Sequence, residues 1–309
     1  MRNKRLFSSG ILIHCYQNTR NGFLLFHSVS DYLTLFTRIC IAAKTHGVVV
    51  VALCFMPDHL HLAVIAPDSE SLSAFVRDYT ASFSIDYGRT WEHKGPLFNA
   101  PFGSALKKGA KAARTNIIYI GNNPVERQLS KTAGEYRWNF LAYRNNPCPY
   151  SEPYVVRRAC GAMRNAVKEV KALHSCGKPV NYGFLKRICK ELNNTEKQQL
   201  ADIIIRTYSV IDYDYAARFF DSWDDMLSAM RYNTGSEYDL NEVFIGKSDA
   251  VYRKLTSLII HSGRFEDIHD IFALTDAEKI ALANRLYAQT RVNPTQIAKF
   301  LHLKLLPHD

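Results

Sequence analysis

Hydrophobic and polar positions divide the chain into two regions with different periodicities. From residue 10 to about residue 105, short apolar runs alternate with segments in which apolar residues recur at helical spacing. These runs predict, in order, a strand with a hairpin partner, a helix, two strands, a second helix and a short strand. The order predicts an α+β fold with a ferredoxin-like antiparallel sheet, helices packed on one face and the other face open to ligands.

The individual elements follow from local signals. An Asn-Gly turn at residues 21–22 separates the runs ILIHCY and FLLF, which predicts the hairpin. The first helix is predicted from about Ser30 to His46, and the second begins after Asp68 or Ser69, both of which are good helix caps. The remaining strands are predicted at VVVVALCF, at HLHLAVI and, for a short strand, around LFNAPFGSA.

Beyond about residue 160 the strand signals largely end, and capping boxes introduce helices. The proline-rich stretch NNPCPYSEPY, residues 145–154, is the best boundary, so we predict one domain over residues 1–150 and a mainly α-helical accessory extension over residues 155–309. Residues 276–303 resemble the first two helices of a helix-turn-helix unit, although the chain ends soon after a recognition helix would begin near Leu303. The alternative is a plain helical packing domain.

Composition adds constraints on partners and compartment. The net charge of +10 favours a polyanionic partner, because surplus lysine and arginine concentrate phosphate-rich ligands, although many basic proteins bind no nucleic acid. The seven cysteines form no CxxC pair, a spacing typical of free thiols in a reducing cytoplasm. The N-terminus has the pattern of neither a signal peptide nor a membrane span, so we expect a cytoplasmic protein with no membrane partner.

The segment CFMPDHLHLAV, residues 54–64, places two histidines one residue apart in a predicted strand. Side chains alternate between the faces of a strand, so His59 and His61 project the same way, whereas Leu60 projects the other way. Two imidazoles on one face are able to share a metal ion. The alternative is an edge strand that turns polar residues to solvent, and the pair therefore needs partners elsewhere in the chain.

Candidate partners follow the basic run KKGAKAARTN. A helix is predicted from Ala110 to Asn122, with Pro124 ending it. Asn116, Tyr119 and Asn123 form a polar stripe beside the apolar one, so Tyr119 is predicted to point out of the core, next to the Asn123 amide one turn later. The alternative is a partly buried tyrosine that precedes an Asn-Pro helix stop.

Together these residues indicate phosphodiester chemistry. His59, His61 and the amide oxygen of Asn123 would form an open site for Mg²⁺ or Mn²⁺, with vacant positions for phosphate oxygens. The ion would polarise the phosphodiester, and Tyr119 would attack it to form a covalent phosphotyrosine and release a 3′-hydroxyl. The candidate contacts to the DNA backbone are Lys107, Lys108, Lys111 and Arg114.

The motif MPDHLHL, the later YIGNNPVE and the order of elements between them resemble the HUH single-tyrosine transposases, specifically the REP-associated tyrosine transposase branch. The resemblance covers roughly residues 8–150. It implies metal ligands at His59, His61 and Asn123, a nucleophile at Tyr119, and cleavage and joining of single-stranded DNA beside hairpin-forming palindromes through a 5′-phosphotyrosine. The segment PFGSALKKGAKAART departs from the usual family sequence, and the C-terminal half has no counterpart in the shortest members.

Two other functions would use the same fold differently. A catalytically silent, domesticated protein would bind DNA hairpins, or act as a repressor, without using Tyr119. An RNA-binding protein is the third candidate, but the chain lacks the aromatic signature of RNA-binding sheets of this type. The joint presence of the two histidines, Tyr119 and Asn123 favours catalysis, because a pure binder has no need for all four. A DNA substrate would place the protein at the nucleoid, and the sequence does not decide between a monomer and a homodimer.

Overall fold

A computed structural model describes residues 6–232 and 248–303 of the chain. Its strands are β1 (Leu12–Asn18), β2 (Val49–Met56), β3 (His59–Ile65) and β4 (Gly103–Lys107). They form one antiparallel sheet in the order β2-β3-β1-β4. Helix α1 (Val29–His46) connects β1 to β2, and helix α2 (Ser69–Trp91) connects β3 to β4. This is the ferredoxin-like topology that the sequence predicts, and the α+β fold class is confirmed.

Helices make up most of the chain after the sheet. They are α3 (Gly109–Glu126), α4 (Gly161–Ser175), α5 (Tyr182–Ile188), α6 (Asn194–Tyr208), α7 (Tyr213–Ala217), α8 (Trp223–Tyr232), α9 (Val251–His261), α10 (Asp276–Thr290) and α11 (Pro294–Leu301). Within the described ranges, no helix combines the length and the apolar character needed to cross a membrane. The seven cysteines are all free thiols.

Local capping explains where the helices of the sheet layer start and stop. Ser28 and Asp31 form a capping box at the start of α1, and Gly47 ends that helix in the left-handed conformation that glycine adopts at low cost. The Asp68 carboxylate accepts a hydrogen bond from the Ser71 amide and caps α2. The sequence places both helix starts within a residue or two.

The prediction that the FLLF run forms a hairpin with β1 is wrong. After β1 the chain makes a 3-10 turn at Arg20–Gly22, and the FLLF run is not a strand. Its backbone amides are instead satisfied by distant segments, since Leu24 N donates to the Lys299 carbonyl and Leu25 N donates to the Pro57 carbonyl. The amides of this apolar run therefore have hydrogen-bond partners without pairing with β1.

Helices α1 and α2 cover one face of the sheet. Gln17, Leu60 and Phe55 lie opposite one another on β1, β3 and β2 and so share that face. Tyr32 of α1 packs near Phe55, with 6.3 Å between ring centroids, and Tyr79 of α2 donates a 3.3 Å hydrogen bond to the Gln17 side chain. The buried apolar side chains of the sheet therefore point towards these two helices.

Helix α3 covers part of the other face, which the sequence predicts to be open. Asn123 of α3 lies 3.3 Å from His61, on the face of β3 opposite Leu60. The helix also continues through Pro124 to Glu126, contrary to the predicted stop. Proline has no backbone N–H, so α3 loses the one hydrogen bond that residue 124 would otherwise donate. The helix continues for two more residues, and the Pro124 carbonyl accepts a hydrogen bond from Leu129 N.

The second half of the chain packs directly on the first. Arg38 of α1 donates a 2.8 Å hydrogen bond to the Val180 carbonyl, and Asp212 N donates a 2.8 Å hydrogen bond to the Val50 carbonyl of β2. One cluster of buried side chains extends from Leu12 to Met230. The division at residues 145–154 stays a prediction, and the two sides of it share this core.

Helices α10 and α11 occupy the positions predicted for the two-helix unit. Phe300 and Leu301 of α11 are fully buried, and the Phe300 carbonyl lies 2.9 Å from His27 Nε2 in the first half of the chain. This is the kind of contact that the packing alternative predicts. A recognition helix beyond Leu303 would lie outside the described residues.

A buried ionic cluster joins α1 to the C-terminal segment. Asp31 carboxylate oxygens lie 3.0 Å from His269 Nε2, and the ring of Trp91 stacks on His269 at 3.9 Å between centroids. Burial alone would lower the pKa of His269, but attraction by Asp31 and Asp267 outweighs it and raises the pKa to about 9. His269 is therefore held as an imidazolium paired with a carboxylate.

This cluster predicts a loss of stability on the alkaline side of neutrality. The pKa of His269 is about 9 in the fold, against 6.5 ordinarily, so its contribution is fully present below pH 6.5 and disappears as the pH rises through 9. We expect the free energy of unfolding, measured with urea, to fall by on the order of 2 kcal/mol over this range. In His269→Gln most of this decline should vanish, and an equally steep decline in that variant would contradict the assignment.

Candidate active site between the sheet and helix α3

The two histidines of the HLH motif lie on one face of β3, as the alternation predicts. His61 stands opposite Tyr16 on β1 and opposite Cys54 on β2, so these side chains share its face. His14, two residues before Tyr16, lies on the same face. The ring centroids of His59 and His61 are 4.9 Å apart. Polar side chains from adjacent strands are thus gathered beneath α3.

His61 lies at the centre of this group and is fully buried. Its Nδ1 is 3.0 Å from Nε2 of His14, and its Nε2 is 3.3 Å from the amide nitrogen of Asn123. Asn123 is also fully buried, and its Oδ1 has no hydrogen-bond partner among the residues that the structure describes. A buried amide oxygen that lacks a partner is costly, and an additional ligand in this space would remove the cost.

Tyr119 faces the histidines rather than solvent. Its ring centroid lies 5.3 Å from that of His61 and 5.7 Å from that of His14, and the side chain is 5% exposed. The prediction that it points out of the core is wrong, although the polar stripe itself is real. Helix α3 packs between the sheet and α8, and Gly121 of α3 lies close to Met230 of α8. The polar stripe of α3 therefore faces the histidines on the sheet.

Asp58 contacts the His59 ring, and Lys299 in turn contacts Asp58. Asp58 Oδ1 lies 2.7 Å from His59 Nδ1, and Lys299 of α11 donates a 2.8 Å hydrogen bond to Asp58 Oδ2. Burial alone would raise the pKa of Asp58, but the hydrogen bond and charge from His59, together with Lys299, hold it well below its usual range. A carboxylate at Nδ1 fixes the orientation of a histidine and directs its Nε2 to the other side.

The predicted metal ligands fit a divalent cation in donor type and spacing. His61 Nε2 lies 3.3 Å from the Asn123 amide nitrogen, and a half-turn rotation of that amide would bring its oxygen to the same position. Two neighbouring ligands at about 2.1 Å from one octahedral ion would lie about 3 Å apart. His59 lies on the same face of β3, and its Nδ1 also has a side-chain partner, the Asp58 carboxylate. The donor set of two imidazoles and one amide oxygen is therefore compatible with a divalent cation that keeps positions for substrate oxygens.

A second group of possible ligands occurs at the buried ionic cluster. His27, Asp31 and His269 offer ligand atoms within 4.8 Å of one another. Both nitrogens of His269, however, lie within hydrogen-bond distance of carboxylates, and its raised pKa keeps it protonated. A metal ligand must be a neutral imidazole, so this cluster suits an ion pair better than a metal.

The four predicted DNA contacts differ in their accessibility. Lys108 and Lys111 are exposed beside the start of α3. Lys107 is buried at the end of β4. Arg114 lies over the Phe220 ring and 3.4 Å from the Asp225 carboxylate. Of the four side chains, Lys108 and Lys111 are therefore the ones most accessible to solvent.

Comparison with solved structures gives a structural likeness. No family model matches the chain, and no curated protein matches it. A solved structure of a REP-associated tyrosine transposase bound to a REP hairpin is similar, at 19% sequence identity and a TM-score of 0.40. The match covers 45% of this chain and 81% of that one. The fold assignment rests on the strand order described above.

Four residues at the site were not anticipated from the sequence. His14 and Tyr16 alternate in β1 as His59 and His61 do in β3, and that spacing was the available signal for His14. Asp58 lies within the quoted MPDHLHL motif, next to a predicted ligand. Lys299 gave no signal, because it is separated from Asp58 by 241 residues.

Proposed function

We propose that this protein cleaves and rejoins single-stranded DNA through a covalent bond to Tyr119. The observation that carries the proposal is the convergence of Tyr119, His61 and Asn123, from two distant segments, in one buried space beside His59. A phenol next to a supported pair of imidazoles and a buried amide oxygen is the set of groups that metal-assisted phosphoryl transfer requires.

The metal would be held by His59, His61 and Asn123, with Asp58 orienting His59. When bound, Mg²⁺ or Mn²⁺ would withdraw charge from the scissile phosphodiester. His14 would hold the ring of His61 through the 3.0 Å contact between their nitrogens. A fixed ring orientation matters because a ligand that rotates away loses the ion.

Tyr119 would perform the covalent step. Its oxygen forms a bond to phosphorus, the bond from phosphorus to the 3′-oxygen breaks, the phenol loses its proton and the leaving 3′-oxygen gains one. The product is a 5′-phosphotyrosine and a free 3′-hydroxyl. Because the ester keeps the energy of the phosphodiester, a second 3′-hydroxyl is able to reverse the step and join strands without ATP.

The substrate would be single-stranded DNA that contains hairpin-forming palindromes. This part of the proposal follows from the family resemblance of the MPDHLHL and YIGNNPVE motifs and from the net charge of +10. Exposed Lys108 and Lys111, at the start of the helix that carries Tyr119, would contact the phosphates of the strand.

A catalytically silent hairpin-binding protein is the second candidate, and the burial of the site favours it. Tyr119 is 5% exposed and His61 is fully buried, so DNA reaches them only after neighbouring side chains move. A binder would not need that movement. The same fold would then present its basic surface to a hairpin without using the phenol.

An adduct assay separates the two functions. The purified protein is incubated with 5′- or 3′-labelled single strands that carry palindromes flanking its own gene, in Mg²⁺, Mn²⁺ or EDTA, and the products are separated on denaturing gels. The proposal requires a metal-dependent protein–DNA band that retains the 3′-side fragment. Tight hairpin binding on native gels without that band would establish the silent binder instead.

Removal of the Asp58 carboxylate is expected to weaken metal binding. In Asp58→Ala the Nδ1 of His59 loses its 2.7 Å partner and the imidazole is no longer fixed. We expect Mn²⁺ affinity, measured by isothermal titration calorimetry, to fall roughly 10- to 100-fold. Asp58→Asn keeps an oxygen at that position and should restore most of the affinity. Equal losses in the two variants would show that orientation of His59 is not the cause.

A further inference from the structure

A cavity of about 750 Å³ opens beside the candidate active site, where three segments meet. Its walls are the turn after β1, the loop between α2 and β4, and helix α11 with the residues that follow it. This volume lies within the range of pockets that bind small organic ligands. Part of the wall comes from the C-terminal half of the chain, so the cavity exists only because α11 packs on the first half.

The charges on the cavity wall are all positive. Arg20 and Lys94 are exposed and lie on two different walls, and Lys299 of α11, whose charge is paired with Asp58, lies on the third. No aspartate or glutamate lines the cavity within the part of the chain that the structure describes. Two exposed cations on different walls without a lining carboxylate favour an anionic ligand such as a phosphodiester.

An apolar and aromatic surface lies next to these cations. The rings of Phe23 and His302 stack at 4.9 Å between centroids, with 11° between their planes, and both residues line the cavity. The His302 ring also packs against Phe272 at 4.5 Å, so the partly exposed Phe23 is the ring of the pair that is able to meet a base. Burial lowers the pKa of His302 well below its ordinary value, so its ring is neutral. Neutral planar rings beside cations are the groups on which unpaired bases stack while their phosphates are held.

Two residues of the cavity wall also contact Asp58, the residue that orients His59. Thr19 lines the cavity, and its hydroxyl donates a 2.9 Å hydrogen bond to the Asp58 carbonyl. Lys299 also lines the cavity, and its Nζ binds Asp58 Oδ2, while the other carboxylate oxygen contacts His59. A strand that enters the cavity would therefore pass next to the group that positions His59.

From these observations we propose that the cavity binds one nucleotide of unpaired DNA adjoining the cleaved phosphodiester. Arg20 and Lys94 hold its phosphates, and Phe23, with the His302 ring packed behind it, provides the surface for its base. The identity of the polymer rests on the function proposed above. The location of the nucleotide rests on the cavity itself, and the C-terminal half of the chain then contributes directly to substrate binding.

The test measures binding of a fluorescein-labelled five-residue oligothymidylate by anisotropy, in EDTA so that no cleavage occurs. We expect Arg20→Gln/Lys94→Gln to bind roughly tenfold more weakly at low salt and to lower the slope of log affinity against log salt by about 1.4, the value for two lost single-strand phosphate contacts. The matched control is Lys168→Gln/Lys171→Gln, which removes the same charge from exposed positions on α4. The control should bind within about twofold of the unchanged protein.

Base recognition is tested with an oligonucleotide of the same length that lacks its bases. This abasic strand should bind at least about fivefold more weakly than oligothymidylate. Equal binding of the two strands would overturn the base contact. Equal losses in the cavity variant and the α4 control, or no loss in either, would overturn the cavity as a phosphate site.

The outcomes also separate this inference from the proposed function. Tyr119→Phe, tested in the same assay, should bind oligothymidylate normally, because the phenol is not part of the cavity wall. If the adduct forms on the unchanged protein and Arg20→Gln/Lys94→Gln binds normally, the cavity proposal fails and the enzyme proposal stands. If oligothymidylate binding is lost in that variant and no adduct forms on any strand, the cavity proposal stands and the enzyme proposal fails.

Discussion

Replacement of Tyr119 by phenylalanine is expected to abolish covalent attachment to DNA while the fold is retained. Phenylalanine keeps the ring that packs 5.3 Å from His61 and 5.7 Å from His14, so the only group removed is the hydroxyl. Loss of a nucleophile typically lowers the rate by several orders of magnitude, and we expect at least about a thousandfold loss of adduct. Binding of hairpin DNA on native gels should change less than about threefold, because the ring and the basic surface remain.

The matched control for this experiment is Tyr16→Phe. Tyr16 lies opposite His61 on the neighbouring strand, carries the same hydroxyl and is the other tyrosine on this sheet face. Its ring packs over Gly103, where a side chain would collide with it, so phenylalanine fits there equally well. Adduct formation that persists in Tyr119→Phe and disappears in Tyr16→Phe would move the nucleophile to β1 and refute the assignment made here.

Asp31→Asn is expected to cause the largest loss of stability. The fully buried carboxylate accepts hydrogen bonds from Tyr182 Oη at 2.7 Å and from the backbone nitrogens of His27 and Ser28 at 2.8 and 2.7 Å, and it faces the His269 imidazolium. An amide at this position would leave a buried positive charge without its counter-ion and would turn an N–H group towards other donors. We expect the free energy of unfolding to fall by about 3–5 kcal/mol.

Urea unfolding at pH 6.5 measures this loss, with Glu191→Gln as the control. Glu191 is an exposed carboxylate, and neutralising it should change the free energy of unfolding by less than about 0.5 kcal/mol. The double variant Asp31→Asn/His269→Gln should be less destabilised than the sum of its single variants, because the unpaired charge is gone. A loss below about 1 kcal/mol in Asp31→Asn would mean that the buried pair contributes little.

The sequence predicted best those features that depend on neighbouring residues. Helix α1 ends at Gly47, which adopts the left-handed conformation, and Asp68 caps α2 through its own side chain. His59 and His61 share a face because alternation along a strand is a property of the backbone. The ferredoxin-like order was predictable for the same reason, since it follows from the succession of local elements.

Predictions failed where contacts with distant segments determine the local conformation. The FLLF run is apolar and follows a turn signal, but its amides bind carbonyls of Lys299 and Pro57 rather than a neighbouring strand. Tyr119 lies on the polar stripe of α3, and the direction of that stripe depends on α8, which packs on the other side of the helix. Helical periodicity identifies which residues share a stripe and does not say which neighbour the stripe will face.

By itself, then, the sequence determined an α+β chain with a histidine pair on one strand face and a tyrosine and an asparagine one turn apart on a helix. Only the tertiary structure decided that these two groups meet, that His14 joins them, and that Lys299 of the last helix contacts Asp58. The physical reason is separation: His61 and Asn123 are 62 residues apart, and Lys299 and Asp58 are 241 apart. Contacts over such distances are fixed by burial of the whole core, which no local pattern encodes.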